Sequence, residues 1–169
     1  MDNQRYYYLA EGECEEKLLK ALKEKPSLIH PGKVSKFNVI EKVLKPSKLM
    51  GFEAGSYVIF VFDTDTSQTT ILKKNIELVK SLSFKVEVLT IAQVLNFEDE
   101  ITYCTDVKKA QELTKSESVN GFKNAVNKMK DAEFRNALKR HKFDITKLWT
   151  KKPPKIYGFI KQQSDKVKF

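Results

Sequence analysis

The most constraining stretch of the chain is Tyr57-Val58-Ile59-Phe60-Val61-Phe62, an apolar run that stops at Asp63-Thr64-Asp65. A strand with one wet face alternates apolar and polar residues. A run that stays apolar needs both faces covered, as in the middle of a mostly parallel sheet between helices. Ser56 to Phe62 therefore reads as a central strand. Its abrupt end poses a question. Two carboxylates two residues apart either cap the helix that follows or hold a metal ion.

The surrounding pattern predicts an alternation. Arg5 to Ala10, "RYYYLA", is a short aromatic strand. Glu13 to Lys25 follows as a helix, with Cys14, Leu18, Ala21 and Leu22 at helical spacing and Pro26 as its stop. "SLIHPGKVSKFNVI" is extended, broken at Pro31-Gly32, and "EKVLKPSKLMGFEAG" is a short helix and loop, with Pro46 barring a long one. Ser67 to Leu82 is an amphipathic helix with Leu72, Ile76, Val79 and Leu82 on one side, and "FKVEVLTIAQV" is the next strand. Residues 1–95 thus form an α/β unit with a four-stranded, mostly parallel sheet and right-handed crossovers. Residues 96–169 show helical segments without a strong strand, then a loop-rich end. They are expected to be a helical, basic C-terminal extension packed on that core.

Composition narrows the function classes. A chain of 169 residues, 41% hydrophobic and 31% charged, is long enough for one ordinary core and too apolar for disorder. No apolar run reaches the roughly 20 residues of a membrane helix, and the N-terminus lacks a signal-peptide pattern, so a cytoplasmic protein is expected. The two cysteines, Cys14 and Cys104, and two histidines, His30 and His141, show no zinc-site spacing. Cys14 reads as a small buried hydrophobe and His30 as a loop residue.

The net charge of +9 is uneven. Residues 1–114 carry 16 basic and 17 acidic side chains, whereas residues 115–169 carry 15 basic and 5 acidic. A basic region beside a neutral body suits a polyanion, most commonly nucleic acid, or is a solvated lysine-rich surface. By clustering alone, the candidate phosphate contacts are Arg135, Lys139, Arg140, Lys151 and Lys152. Phe134, Phe143, Trp149 and Tyr157 lie among them; such aromatics serve more often as core than as stacking platforms.

In an open α/β sheet, ligands bind beyond the carboxyl ends of the strands. Two acidic elbows fall there. Glu11 follows the first strand, with Gly12 allowing a tight turn and Glu13, Glu15 and Glu16 behind it. Asp63 and Asp65 follow the central strand. Each has a plain structural reading: Asp65 or Ser67 as a helix cap, and the glutamates as first-turn charges favoured by the helix dipole. Together they say more. If the two strands are neighbours, about 5 Å apart, Glu11, Asp63 and Asp65 converge, and like charges so close call for a cation. Oxygen donors suit Mg²⁺ or Mn²⁺.

"YYYLAEGECEEKLLKAL" and "YVIFVFDTDTS", about fifty residues apart, resemble the two signature motifs of the Toprim domain. This is the catalytic unit of topoisomerases, bacterial primases, small RNA-maturing nucleases and the OLD-type and RloB-like nucleases of phage defence. The resemblance covers about residues 5–95. It implies a four-stranded parallel sheet flanked by helices, with the family glutamate at Glu11 and its Asp-x-Asp at Asp63 and Asp65. It also implies Mg²⁺ or Mn²⁺ as cofactor, held by Glu11, Glu15, Asp63 and Asp65. The nuclease branches often carry Glu-Gly-x-x-Glu, matched by Glu11 and Glu15. "NFEDEI" is similar to a downstream acidic element of RloB-like chains. With no tyrosine, zinc or ATPase domain alongside, the resemblance implies a stand-alone nuclease or toxin-like effector: metal-dependent phosphodiester hydrolysis with Glu11, Asp63 and Asp65 as catalytic residues. A separate protein partner or a homo-oligomer stays open.

Two rivals stand beside it. "FDTDTS" satisfies the Asp-x-Asp-x-Thr start of haloacid-dehalogenase-like phosphatases, with Asp63 as nucleophile and Asp65 as acid/base. That fold needs the motif on its first strand and a downstream Gly-Asp-x-x-x-Asp loop, and here a strand and helix precede it and no such loop follows. The other rival is a non-enzymatic nucleic-acid-binding domain whose acids are structural.

Overall fold

A computed structural model describes residues 5–169. The elements run β1 (Tyr6–Ala10), α1 (Glu13–Lys23), β2 (Lys33–Lys36), α2 (Pro46–Leu49), β3 (Ser56–Asp63), α3 (Thr70–Lys80), β4 (Val86–Gln93), α4 (Phe97–Cys104), α5 (Val119–Lys128) and α6 (Asp131–Arg140). Short 3₁₀ turns lie at Ala110–Leu113, Lys155–Tyr157 and Ser164–Lys166. The strands form one all-parallel sheet in the order β2-β1-β3-β4. The α/β alternation expected for the first 95 residues is the one observed.

Period-two alternation within each strand sorts the side chains into two layers. Tyr6, Tyr8 and Ala10 of β1, Ile59 and Val61 of β3, and Leu89 and Ile91 of β4 share one layer with α1, α4, α5 and α6. Leu9, Val58, Phe60, Phe62 and Ala92 share the other with α2, α3 and Tyr157. This is why β3 is apolar without a break: Val58 to Phe62 are all buried. Burying each such side chain contributes about 2 kcal/mol. The helices follow the same logic. α1 buries Cys14, Leu18, Leu19, Ala21 and Leu22 in the layer it shares with the sheet, α5 and α6.

Residues 96–169 complete this core. Phe97, Phe122, Phe134, Leu148 and Trp149 lie in the α1-side layer. The last segment covers the outer edge of β4 in an unusual way. The Gln162 side chain accepts from Ala92 N at 2.8 Å and donates to Ala92 O at 2.7 Å, as a strand backbone would. Gln163 N adds a 3.1 Å bond to Thr90 O, so side-chain amides and loop backbone occupy an edge that would otherwise offer open pairing sites.

Two of the expected phosphate contacts are used up by this packing. Arg135 is only 6% exposed. Its guanidinium donates to the carbonyls of Ala21 (3.0 Å), Leu22 (3.3 Å), Glu24 (2.7 Å) and Pro26, closing the carbonyl end of α1. A cation aimed at four carbonyls answers the negative end of a helix, and its charge is not free for phosphate. Lys151 is likewise committed: its Nζ meets Glu100 Oε2 at 3.2 Å and lies over the Tyr103 ring. Lys139, Arg140 and Lys152 are exposed. Phe134, Trp149 and Tyr157 are core residues, and Phe143 packs against the core.

Candidate functional site

The site forms where β1 and β3 end. Their pairing, Ala10 opposite Val61, extends one step further as Glu11 N donates to Val61 O at 3.0 Å. The chain then turns into α1, and the Glu11 side chain reaches across the ladder. Its Oε2 accepts the backbone N–H of Asp63 at 2.7 Å, while Asn38 Nδ2 lies 3.4 Å from Oε1. Glu11 and Asp63, fifty-two residues apart, are thus directly bonded. The neighbour relation that the sequence reading made conditional is present.

The loop after Asp63 is pinned from two sides. Thr64, buried, donates from its backbone to Gln93 O (3.0 Å) and Leu95 O (3.2 Å) and accepts Leu95 N (3.0 Å) on its hydroxyl. Leu95 takes φ +71, left-handed backbone that a non-glycine residue adopts only when held there. The Tyr157 hydroxyl donates to Thr66 O at 2.8 Å. This aromatic serves as a strut for the acidic loop. Capping does not explain the acids. α3 begins at Thr70, three residues later than the pattern predicts, and its N-cap is Thr69 with no side-chain hydrogen bond. Neither Asp65 nor Ser67 caps it. Thr66 Oγ1 accepts Gln68 N at 3.1 Å within the loop instead.

Electrostatics show the carboxylates acting on one another. Burial first, then the charges of Glu15, Glu11, Asp65 and Glu98, push the Asp63 carboxyl up to about 9. Burial, with Glu15, Asp65 and Glu41 adding to it, pushes Glu11 up to about 7 against the favourable bond from Asp63 N–H. Glu15 is 6% exposed and raised, mainly by burial. It is the third residue of α1, in a first turn that also carries Glu13 and Glu16. A Cβ on Gly12 would lie 2.7 Å from Glu15 Oε2, so the absence of a side chain there leaves room for this carboxylate. Asp65 is exposed.

A divalent ion fits the site's donor chemistry. Its donors are oxygens, and Asp63 Oδ1 is buried without a hydrogen-bond partner. Mutual repulsion is what a hard cation would relieve. The four side chains share the strand ends, but among the described residues no three acids, cysteines or histidines are gathered as a ready ligand set.

A cavity of about 470 Å³ opens beside Glu11 and Glu15. Its walls bring in residues that sequence reasoning did not single out as a site: Lys36 at the end of β2, Phe37, Asn38 and Lys42 after it, and Lys123 and Asn127 of α5. Lys36 pairs with Glu13 at 2.8 Å, and Lys123 pairs with Glu98 at 3.0 Å. Buried Asn75 of α3 holds the wall loop by bonds to Leu44 N, Val39 O and Lys42 O between 2.8 and 2.9 Å. These cations carried little sequence signal: Lys36 ends β2, Lys42 lies in the loop after it, and Lys123 sits on α5 away from the tighter basic clusters. Glu98 was visible as part of "NFEDEI", and its place on the first turn of α4 brings it near Asp63 and Glu15.

Fold and site together define a parallel α/β protein with an acidic cluster at its central strand ends and a lysine-bordered cavity beside it. No protein-family model, curated protein or solved structure matches the chain. No helix among the described residues is long and apolar enough to cross a membrane.

Proposed function

We propose that the protein is a metal-dependent phosphodiesterase acting on nucleic acid, with a site of the Toprim type. The observation that carries this is the 2.7 Å bond between Glu11 and Asp63 N at adjacent strand ends, beside a buried Asp63 oxygen without a hydrogen-bond partner among the described residues. In this reading Asp63 and Asp65 hold Mg²⁺ or Mn²⁺, with Glu11 as a further ligand or as the general base, and Glu15 supports them from α1. When bound, the ion offsets negative charge on the phosphoryl oxygens and makes its water more acidic. The chain supplies the rest. Where Glu11 is not itself a ligand, its carboxyl, raised by burial and neighbouring acids in the metal-free site, is placed to accept or return a proton. Exposed Lys42 borders the cavity and meets substrate phosphates, and Lys36 and Lys123 join it by exchanging their Glu13 and Glu98 partners for phosphate, which makes binding salt-dependent. Exposed Lys139, Arg140 and Lys152 are left for outlying backbone contacts. A defence or toxin-like role accords with a nuclease of this kind. Asp63→Asn tests the assignment: Mg²⁺-dependent cleavage of oligonucleotides is lost while circular dichroism and melting show a folded protein. Undiminished cleavage would refute it.

A further inference from the structure

The last residue of β4 presents an unexplained group. Gln93 is fully buried, and neither Oε1 nor Nε2 of its amide has a hydrogen-bond partner. Its backbone carbonyl is occupied, accepting Thr64 N at 3.0 Å and the Thr64 hydroxyl at 3.2 Å. The side chain is what stands alone. Leaving a buried amide unbonded costs about 1–3 kcal/mol, and an apolar side chain of similar shape avoids that. Its neighbours two and four residues back, Ile91 and Leu89, are such side chains. Packing does not call for glutamine here.

Register shows what does. Asp63 pairs with Gln93 in the β3–β4 ladder. Asp63 continues the series Ile59, Val61, and Gln93 the series Leu89, Ile91, so both side chains leave the sheet on the α1-facing layer. Strands in a sheet lie about 4.8 Å apart, so the two side chains are near neighbours. In that layer Asp63 Oδ1 is also buried and without a partner. Register thus brings a carboxylate oxygen, an amide oxygen and an amide NH₂ to neighbouring positions, and none of them is hydrogen-bonded among the described residues. One water between them satisfies donor and acceptors alike.

We propose that Gln93 is a positioning residue of the metal site, its amide orienting a water of the divalent ion's hydration shell beside Asp63. Mg²⁺ keeps several waters when protein-bound, and neutral amides that fix such waters add no charge to a cluster already too negative. Gln93 acts through that water and through Asp63, not on substrate. The inference rests on the metal-dependent reading above.

Gln93→Leu and Gln93→Met test it, the second being unbranched and close to glutamine in length should the first fail to fold. Calorimetry with Mn²⁺ on wild type, both variants and Asp63→Asn is paired with melting in EDTA. The expected result is a metal-free melting temperature equal to or above wild type, Mn²⁺ affinity weaker by about tenfold or more, and a loss of cleavage carried by kcat rather than KM. Wild-type Mn²⁺ affinity in the Gln93 variants, with loss in Asp63→Asn, overturns this inference alone. A lower metal-free melting temperature in both Gln93 variants also overturns it, since the amide would then have a structural partner. No Mn²⁺ binding by the wild type overturns the parent reading with it.

Discussion

A buried acid and a half-buried one in this protein have opposite surroundings. Glu100 of α4 is fully buried, and its neighbours answer its charge. Oε1 accepts Trp149 N at 2.6 Å, and Oε2 faces Lys151 Nζ at 3.2 Å. Burial raises its carboxyl, and the Trp149 N–H and Lys151 pull it back down. Asp63 is raised by burial too, but there Glu15, Glu11, Asp65 and Glu98 push further in the same direction. Glu100 ties the Trp149–Lys151 segment to α4. Asp63 gathers like charges at a strand end and leaves an oxygen unanswered. A buried acid alone is no sign of chemistry; a half-buried acid among other acids at the carboxyl end of a strand is the stronger candidate.

The largest expected contrast comes from deleting each carboxylate. Asp63→Asn abolishes cleavage, by about a thousandfold or more on the metal reading, while relieving repulsion in the metal-free fold. Glu100→Ala should do the reverse. It strands Lys151 and Trp149 N and destabilises by about 3 kcal/mol, read by urea unfolding, with unchanged activity per folded molecule. A variant at Glu100 that kept stability and lost activity would erase the distinction.

The pH dependence of the metal-free protein separates the same two regions. The Asp63 carboxyl holds its proton to about 9 in the fold, whereas the unfolded chain releases it near 4. Glu11 behaves alike, with a folded value of about 7. Between those values the unfolded state binds fewer protons, so stability falls as pH rises. Thermal melts in EDTA from pH 5 to 9 should show this decline, and Asp63→Asn should flatten most of it. An equally steep decline in that variant would place the strain elsewhere.

Smaller effects distinguish structural from surface cations. Arg135→Met should lower stability by about 2 kcal/mol, because buried carbonyls at the end of α1 lose a charged donor. It should leave the salt dependence of oligonucleotide binding unchanged. Lys42→Ala and Lys123→Ala should each weaken binding a few-fold and reduce the salt slope by about one. If Arg135 moved the salt slope and the cavity lysines did not, the interface would lie along the C-terminal cluster after all. Gly12→Ala should have the mildest effect, a few-fold loss of cleavage as the new methyl group crowds Glu15.

Much of the architecture was legible locally. The unbroken run Val58–Phe62 announces a strand covered on both faces, and the apolar spacing of Leu72, Ile76 and Val79 announces α3. These patterns depend on which faces of one element are buried, and a chain encodes that residue by residue. The start of α3 was misplaced because Ser67 and Asp65 are good cap residues anywhere, and only the packed loop shows that they do not cap. The basic cluster misled for a related reason. Neighbours in sequence such as Arg135 and Lys139 point to different places on a helix, one to the carbonyl end of α1 and one to solvent.

The sequence by itself determined the alternation of strands and helices, and the placing of acids after the first and third strands. Tertiary structure decided that those strands lie side by side, with β2 outside them, and that Glu11 bonds across to Asp63. It also decided that Gln93 ends opposite Asp63. Helical and strand periods are local quantities set by backbone geometry. Strand order and register are set by how two apolar layers close around the sheet, and no short stretch of sequence carries that information.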